Sequence, residues 1–136
     1  MQANLSAWRL GVLLAGALAS AAQAAPDWSQ LADTQTVEVI STEEDGSSRL
    51  TTVWIVVLDN QAYIRTGGTT WGDNVEREGK LRLRVPTGEY ELRAEKVLNT
   101  QEVERVVAAF REKYGRSDAW AEWLRFGERR VFRLLE

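Results

Sequence analysis

Period-two alternation dominates the middle of the chain. From Lys80 to Val85, Leu81, Leu83 and Val85 interleave with Lys80, Arg82 and Arg84, which predicts a strand with one dry and one wet face. Pro86-Thr87-Gly88 then turns the chain, and Glu89 to Val97 alternates again through Tyr90, Leu92 and Ala94. The three cations of the first strand suit a phosphate-binding stripe or, across this hairpin, pairing with Glu89, Glu91 and Glu95; opposite charges facing each other favour the pairing. Upstream, Thr36 to Thr42 sets Val37, Val39 and Ser41 on one side and Glu38 and Ile40 on the other. The run Val53 to Leu58, within Arg49 to Asp59, is unbroken and β-branched, as in a central strand covered on both faces. Asp59-Asn60 turns it into a partner strand, Ala62 to Thr66, and Arg130 to Leu135 makes a last short strand.

The period lengthens after Asn99. Asn99 with Glu102 is a capping-box signature, Val103, Val106, Val107, Phe110 and Tyr114 fall on one helical face, and Gly115 stops the helix. A second short helix is predicted from Ser117 or Asp118 to about Gly127, with Trp120, Trp123 and Leu124 on one side. Asp27 to Asp33 makes a helical turn carrying Trp28 and Leu31. Gly67-Gly68-Thr69-Thr70-Trp71-Gly72-Asp73-Asn74, rich in Gly and hydroxyls around one Trp, is predicted to be a functional loop. Six strands in mostly antiparallel hairpins with two helices late in the chain predict an α+β fold, a small β-barrel closed on one side by helices.

The start of the chain differs. One cation, Arg9, precedes the apolar run Leu10 to Ala19, which is shorter than the about 20 apolar residues a membrane span needs. Ala22-Gln23-Ala24 follows, the small-x-small pattern of a signal-peptidase site. The expectation is a signal peptide over 1–24, a single domain over 25–136, a secreted or periplasmic destination and no stable membrane insertion after cleavage.

The chemistry on offer is narrowed by what is missing. The 136 residues include neither Cys nor His, so disulfides, His-based triads, His-ligated haem and nearly all zinc sites are excluded. Ser41, Ser47, Ser48 and Ser117 have no His base, which counts against a hydrolase. The net charge is −3, and loss of the leader makes it one unit more negative, which argues against a nucleic-acid binder. Glu43-Glu44-Asp45-Gly46 is expected to be a solvated hairpin turn and not a calcium loop, and no metal site is expected.

Several segments together carry a resemblance that spans Trp28 to Leu135. They are Arg49-Leu50-Thr51-Thr52-Val53-Trp54, Tyr63-Ile64-Arg65-Thr66-Gly67-Gly68, Trp71 with Asn74, the Tyr90 to Val97 strand, and Phe110-Arg111-Glu112-Lys113-Tyr114-Gly115. In order and spacing they resemble the flavin-binding split β-barrel superfamily, the pyridoxamine-phosphate-oxidase-like proteins, and within it the deazaflavin-dependent nitroreductase type and a related uncharacterised subfamily. The resemblance implies FMN or a deazaflavin held in a groove at a homodimer interface, and oxidoreductase chemistry. Five Trp beyond the leader also suit a dimer. It further implies that Thr66 supplies a strand-end hydroxyl to the phosphate and Thr69 or Thr70 a loop hydroxyl, with Arg65, Gly67 and Gly68 beside them. Arg49, Thr51 and Thr52 would face the ring, and Trp71 and Asn74 would belong to the loop. Trp71 stands where cofactor-binding members often carry Lys or Arg. The alternative, from a different class, is a cofactor-free envelope module that keeps the barrel for binding or scaffolding.

Overall fold

A computed structural model describes residues 25–115 and 129–136. A short helix, α1 (Trp28–Leu31), leads into β1 (Thr36–Thr42), β2 (Ser48–Leu58) and β3 (Gln61–Thr66). Helix α2 (Thr70–Glu78) follows, then β4 (Lys80–Val85), β5 (Gly88–Lys96), α3 (Thr100–Tyr114) and β6 (Arg130–Leu135). The strands close into a barrel in the order β1-β2-β3-β6-β5-β4, with β1 also paired to β4 and every pairing antiparallel. The α+β reading and the six strands are therefore as expected.

Turn chemistry fixes the register. Asp59 and Asn60 both adopt positive φ, 50° and 60°, as a two-residue hairpin between Leu58 and Gln61 requires. At the other end of β2, Gly46 at φ 90° closes the Glu43–Ser47 turn, and the Asp45 carboxylate accepts from the Ser47 amide at 2.9 Å. Long β2 serves two partners: Ser48 to Trp54 pair with β1, and Ile55 to Leu58 with β3. Across the β4–β5 hairpin, Arg82 and Arg84 reach Glu89 at 3.2 and 3.0 Å and Lys80 reaches Glu91 at 3.6 Å, so the cations are spent on a charge ladder.

Alternation divides the apolar residues between two cores. Val39, Ile55, Ala62, Ile64, Leu83, Leu92, Phe132 and Leu134 fill the barrel interior. On the outside, Val56, Tyr63, Val97 and Val131 are roofed by Val106, Val107 and Phe110 of α3. That amphipathic face is the one the sequence pattern predicts. Asn99 caps α3 by accepting from the Glu102 amide at 2.9 Å, but the reciprocal half of the capping box is absent: the Glu102 carboxylate turns to Tyr63 and Arg133 instead.

One prediction is corrected. The Gly67–Asn74 loop is half helix, because Thr69 caps α2 through Gly72 N–H, Trp71 and Val75 bury one face, and Gly79 at φ 70° ends it. Of the two late helices, α3 is present; the second, from Ser117 to Gly127, and the leader lie outside the described residues. Among the described residues no helix is long and apolar enough to cross a membrane.

Candidate functional site

Since Val53, Ile55, Ala62 and Ile64 point into the barrel, the pleat turns Thr52, Trp54, Tyr63 and Arg65 outward on β2 and β3. Beside this outer face runs an open groove of about 280 Å³, lined by Thr52, Val53, Trp54, Arg65, Thr66, Gly67 and Trp71. Its cation is held by aromatic rings. The Arg65 guanidinium carbon lies 5.2 Å from the Trp54 ring and 5.0 Å from that of Phe110, and Trp54 in turn stacks on Tyr114 at 4.1 Å and 2°. Burial disfavours the charged guanidinium and pulls its pKa down to about 10, so it stays protonated at neutral pH. Among the described residues no carboxylate lines the groove. A fixed cation among aromatic faces can take an anionic group carried on a planar ligand.

Two clamps set the shape of the groove. At one end, Arg130 of β6, paired in register with Thr66, is 2 % exposed and grips the loop after β3. It donates to Gly67 O at 3.1 and 2.7 Å and to Thr69 O at 3.3 Å, and pairs with Asp73 at 2.9 Å and Glu76 at 3.2 Å. The close approach demands Gly72: a Cβ there would stand 2.6 Å from Thr66 Cγ2 and 2.7 Å from an Arg130 nitrogen. At the other end, α3 closes the point where β2 leaves β1 for β3. Lys113 Nζ donates to Thr34 O at 2.6 Å and Ile55 O at 2.7 Å, and the Tyr114 hydroxyl accepts from Ile55 N–H at 3.0 Å. Burial lowers the Lys113 pKa and raises that of Tyr114.

Of the residues singled out from the sequence, Thr52, Arg65, Thr66 and Trp71 line this groove together. Trp71 is 7 % exposed and tilts against Phe132 at 6.4 Å, so most of its ring plugs the barrel. Thr69 sits behind the rim, its hydroxyl 2.6 Å from that of Thr66 and accepting from Gly72 N–H at 3.1 Å. Thr51 is half-buried opposite Val39. Elsewhere, Thr70 and Asn74 line a separate depression with Glu43, Glu44, Asp45, Asp73 and Arg77. There Asn74 donates to Ser41 Oγ at 3.2 Å and Glu43 Oε1 at 2.6 Å, and Arg49 grips Glu43 through bonds of 2.8 and 3.0 Å. Both brace the β1–β2 hairpin.

Sequence reasoning did not single out Trp54, Tyr114 or Arg130 for the site. Trp54 follows from Thr52 by alternation, whereas nothing local marks Arg130, whose partners lie more than 50 residues away. Among the described residues no acidic cluster is placed to hold a metal ion.

Comparison with known proteins bears on the fold. A conserved hypothetical protein from Mycobacterium tuberculosis is 20% identical, with 84% of this chain and 82% of that one aligned at a TM-score of 0.62. The heme storage protein HutZ from Vibrio cholerae is 13% identical over 84% of this chain and 90% of its own, at 0.63. A Listeria innocua protein provisionally described as a pyridoxamine 5′-phosphate oxidase is 13% identical over 79% and 88%, at 0.58. At such identities the likeness is one of fold alone, and that fold is the split barrel which the sequence resemblance implies. No curated protein matches the sequence. A family model does match, over residues 27–130, and the chain accordingly belongs to the family described as "Uncharacterized protein conserved in bacteria (DUF2255)".

Proposed function

We propose that the outer groove binds a flavin-class ligand, FMN or a deazaflavin, and that the protein serves oxidoreductase chemistry in the cell envelope. The observation that carries this reading is the half-buried Arg65 guanidinium, wedged between Trp54 and Phe110 in the wall of a groove with no carboxylate among its described lining residues. Arg65 would meet the ligand's anionic group, Thr52 and the Gly67 backbone would supply neutral polar contacts, and Trp54 and the exposed edge of Trp71 would flank the ring. A bound flavin supplies the electron or hydride transfer, and the chain binds and orients it.

The groove fits such a ligand in part. Its volume of about 280 Å³ is just below the range of about 300 to 1,000 Å³ for small-molecule sites. A second copy of the chain is the proposed source of the remaining cover, as the resemblance implies. Haem suits the groove less well. With no His or Cys, and the one Met at position 1, an axial ligand would have to be a tyrosine, and Tyr63, Tyr90 and Tyr114 do not line the groove.

One observation favours the cofactor-free reading: the Thr66 and Thr69 hydroxyls contact each other, and that of Thr69 also caps α2. Titration decides between them. Wild-type protein should quench FMN fluorescence on binding, and Arg65→Ala, which removes a charge-assisted contact of about 1.5 to 3 kcal/mol, should weaken binding by about ten- to a hundredfold. Failure of the wild type to bind FMN or a deazaflavin would leave the cofactor-free module. Export is tested by mass spectrometry of the mature chain, where an intact Met1 terminus would overturn cleavage after Ala24. Sedimentation as a monomer at micromolar concentration would overturn the dimer.

A further inference from the structure

The groove wall is built from a side chain that itself points outward from a strand. An indole on a strand's outer face, at the edge of a groove, has several staggered χ1 states open to it unless a neighbour excludes them. Here that neighbour is Tyr114, at the C-terminal end of α3, whose ring lies parallel to Trp54 at 4.1 Å. The tyrosine is itself anchored at both ends. Its hydroxyl accepts the Ile55 amide at 3.0 Å and lies 2.8 Å from Gln35 O, while its ring packs on Phe110 with centroids 5.9 Å apart. Phe110 and Trp54 are in turn the two rings that flank the Arg65 guanidinium. The chain of contacts therefore runs from the point where β2 leaves β1, through Tyr114, to both rings that place the groove's cation.

We propose that Tyr114 is a positioning residue of the groove, fixing the Trp54 indole, and through it the Arg65 guanidinium, in the orientation that receives the ligand. It does not itself line the groove. The inference rests on the flavin-class reading for its consequence in binding, but the orientation of Trp54 can be measured without any ligand.

Two substitutions separate the ring from the hydroxyl. Tyr114→Phe keeps the stack and loses the bonds to Ile55; Tyr114→Leu loses the stack as well. In the full chain, the near-ultraviolet circular dichroism band that disappears on Trp54→Phe should persist in Tyr114→Phe and vanish in Tyr114→Leu. FMN affinity should follow the same split, within about twofold of wild type for Phe and about tenfold weaker for Leu, a pattern that loss of stability alone would not give. If Tyr114→Leu is folded and keeps both the band and wild-type affinity, the proposal is overturned. If Tyr114→Leu does not fold, Tyr114→Phe decides: a lost band or a tenfold loss of affinity in a protein that keeps its ring overturns the proposal, and retention of both supports it. A wild type that binds no FMN sinks the flavin reading, and the band then decides the role of Tyr114 by the same criteria.

Discussion

The inner and outer faces of β2, β3 and β6 bury comparable apolar side chains but differ in what is mixed with them. Inside, Ile55, Ala62, Ile64, Phe132 and Leu134 pack with little else, and Arg130 caps that face at its mouth. Outside, beneath α3, the aliphatic residues share the space with Arg65, Lys113, Tyr63 and the Glu102–Arg133 pair. Burying ionised groups opposes folding unless each is paired or hydrogen-bonded, so an outer core built this way is held by specific geometry as well as by area. On the proposed function, the contrast assigns folding chiefly to the interior and recognition to the exterior.

A matched pair of substitutions tests that division at the largest scale. Phe132 and Phe110 are both fully buried, one in each core. Truncation of either to Ala should cost about 3 to 5 kcal/mol in urea denaturation. Phe110→Ala should weaken FMN binding by the folded fraction more than Phe132→Ala, because it removes one of the two rings beside Arg65, whereas Phe132 reaches the groove only through Trp71. Equal effects on binding would show that the groove depends on the barrel as a whole. Next in size is Gly72→Ala, which drives a methyl group against Thr66 and Arg130 and should cost about 1 to 3 kcal/mol. A neutral result in thermal melts would mean that the Arg130 end gives way, and that the clamp on the Gly67–Thr69 loop and α2 is looser than its five donor contacts imply.

What the sequence discloses follows the same line. The barrel was legible because the interior obeys a simple rule: alternation from Lys80 to Val85 and the β-branched run in β2 translate directly into pleat and burial. Asp59-Asn60 announces its own turn. The segment after β3 was not legible in the same way. Gly72, Asp73 and Asn74 are poor helix formers, and here the cap at Thr69 and the burial of Trp71 and Val75 outweigh their propensity. The outer site was legible only in pieces. Thr52, Arg65, Thr66 and Trp71 converge, yet Arg49 and Asn74 brace a hairpin at Glu43, because the site depends on which strand end a residue occupies and on contacts from α3 and β6 that lie far along the chain.

The ionised outer core predicts an acid response. Bonds from Arg133 and Tyr63 hold the Glu102 carboxyl below its ordinary value of 4.5. The native state therefore binds that proton less readily than the unfolded chain does. Its contribution is complete above about pH 4.5 and fades as the pH falls through the lower native value. With about a fifth of the side chain exposed, the contribution belongs near the low end of charged hydrogen bonds, about 1.5 kcal/mol. Glu102→Gln should be less stable than wild type at neutral pH by that amount, and the difference should shrink towards pH 3. A difference that is independent of pH would place the cost in packing and not in charge.

The smallest effect is expected on the wet face of the β4–β5 hairpin, which belongs to neither core. Arg84 makes two ion pairs, to Glu89 at 3.0 Å and Glu38 at 3.7 Å, and its side chain is 44% exposed. Water screens both pairs, and fixing a long side chain costs entropy, so Arg84→Ala should change stability by about 0 to 1 kcal/mol, a difference reduced further in 1 M salt. The ion pairs there are exposed whereas the Arg65 guanidinium is half-buried, which makes the comparison informative. If the exposed ladder proved worth 2 kcal/mol or more and insensitive to salt, the alkyl stem of Arg84 would have to be covering apolar surface at the β1–β4 seam. The charges of the outer barrel would then stabilise the fold wherever they lie, and the burial of Arg65 beneath α3 would no longer mark the groove as a place set apart for a ligand.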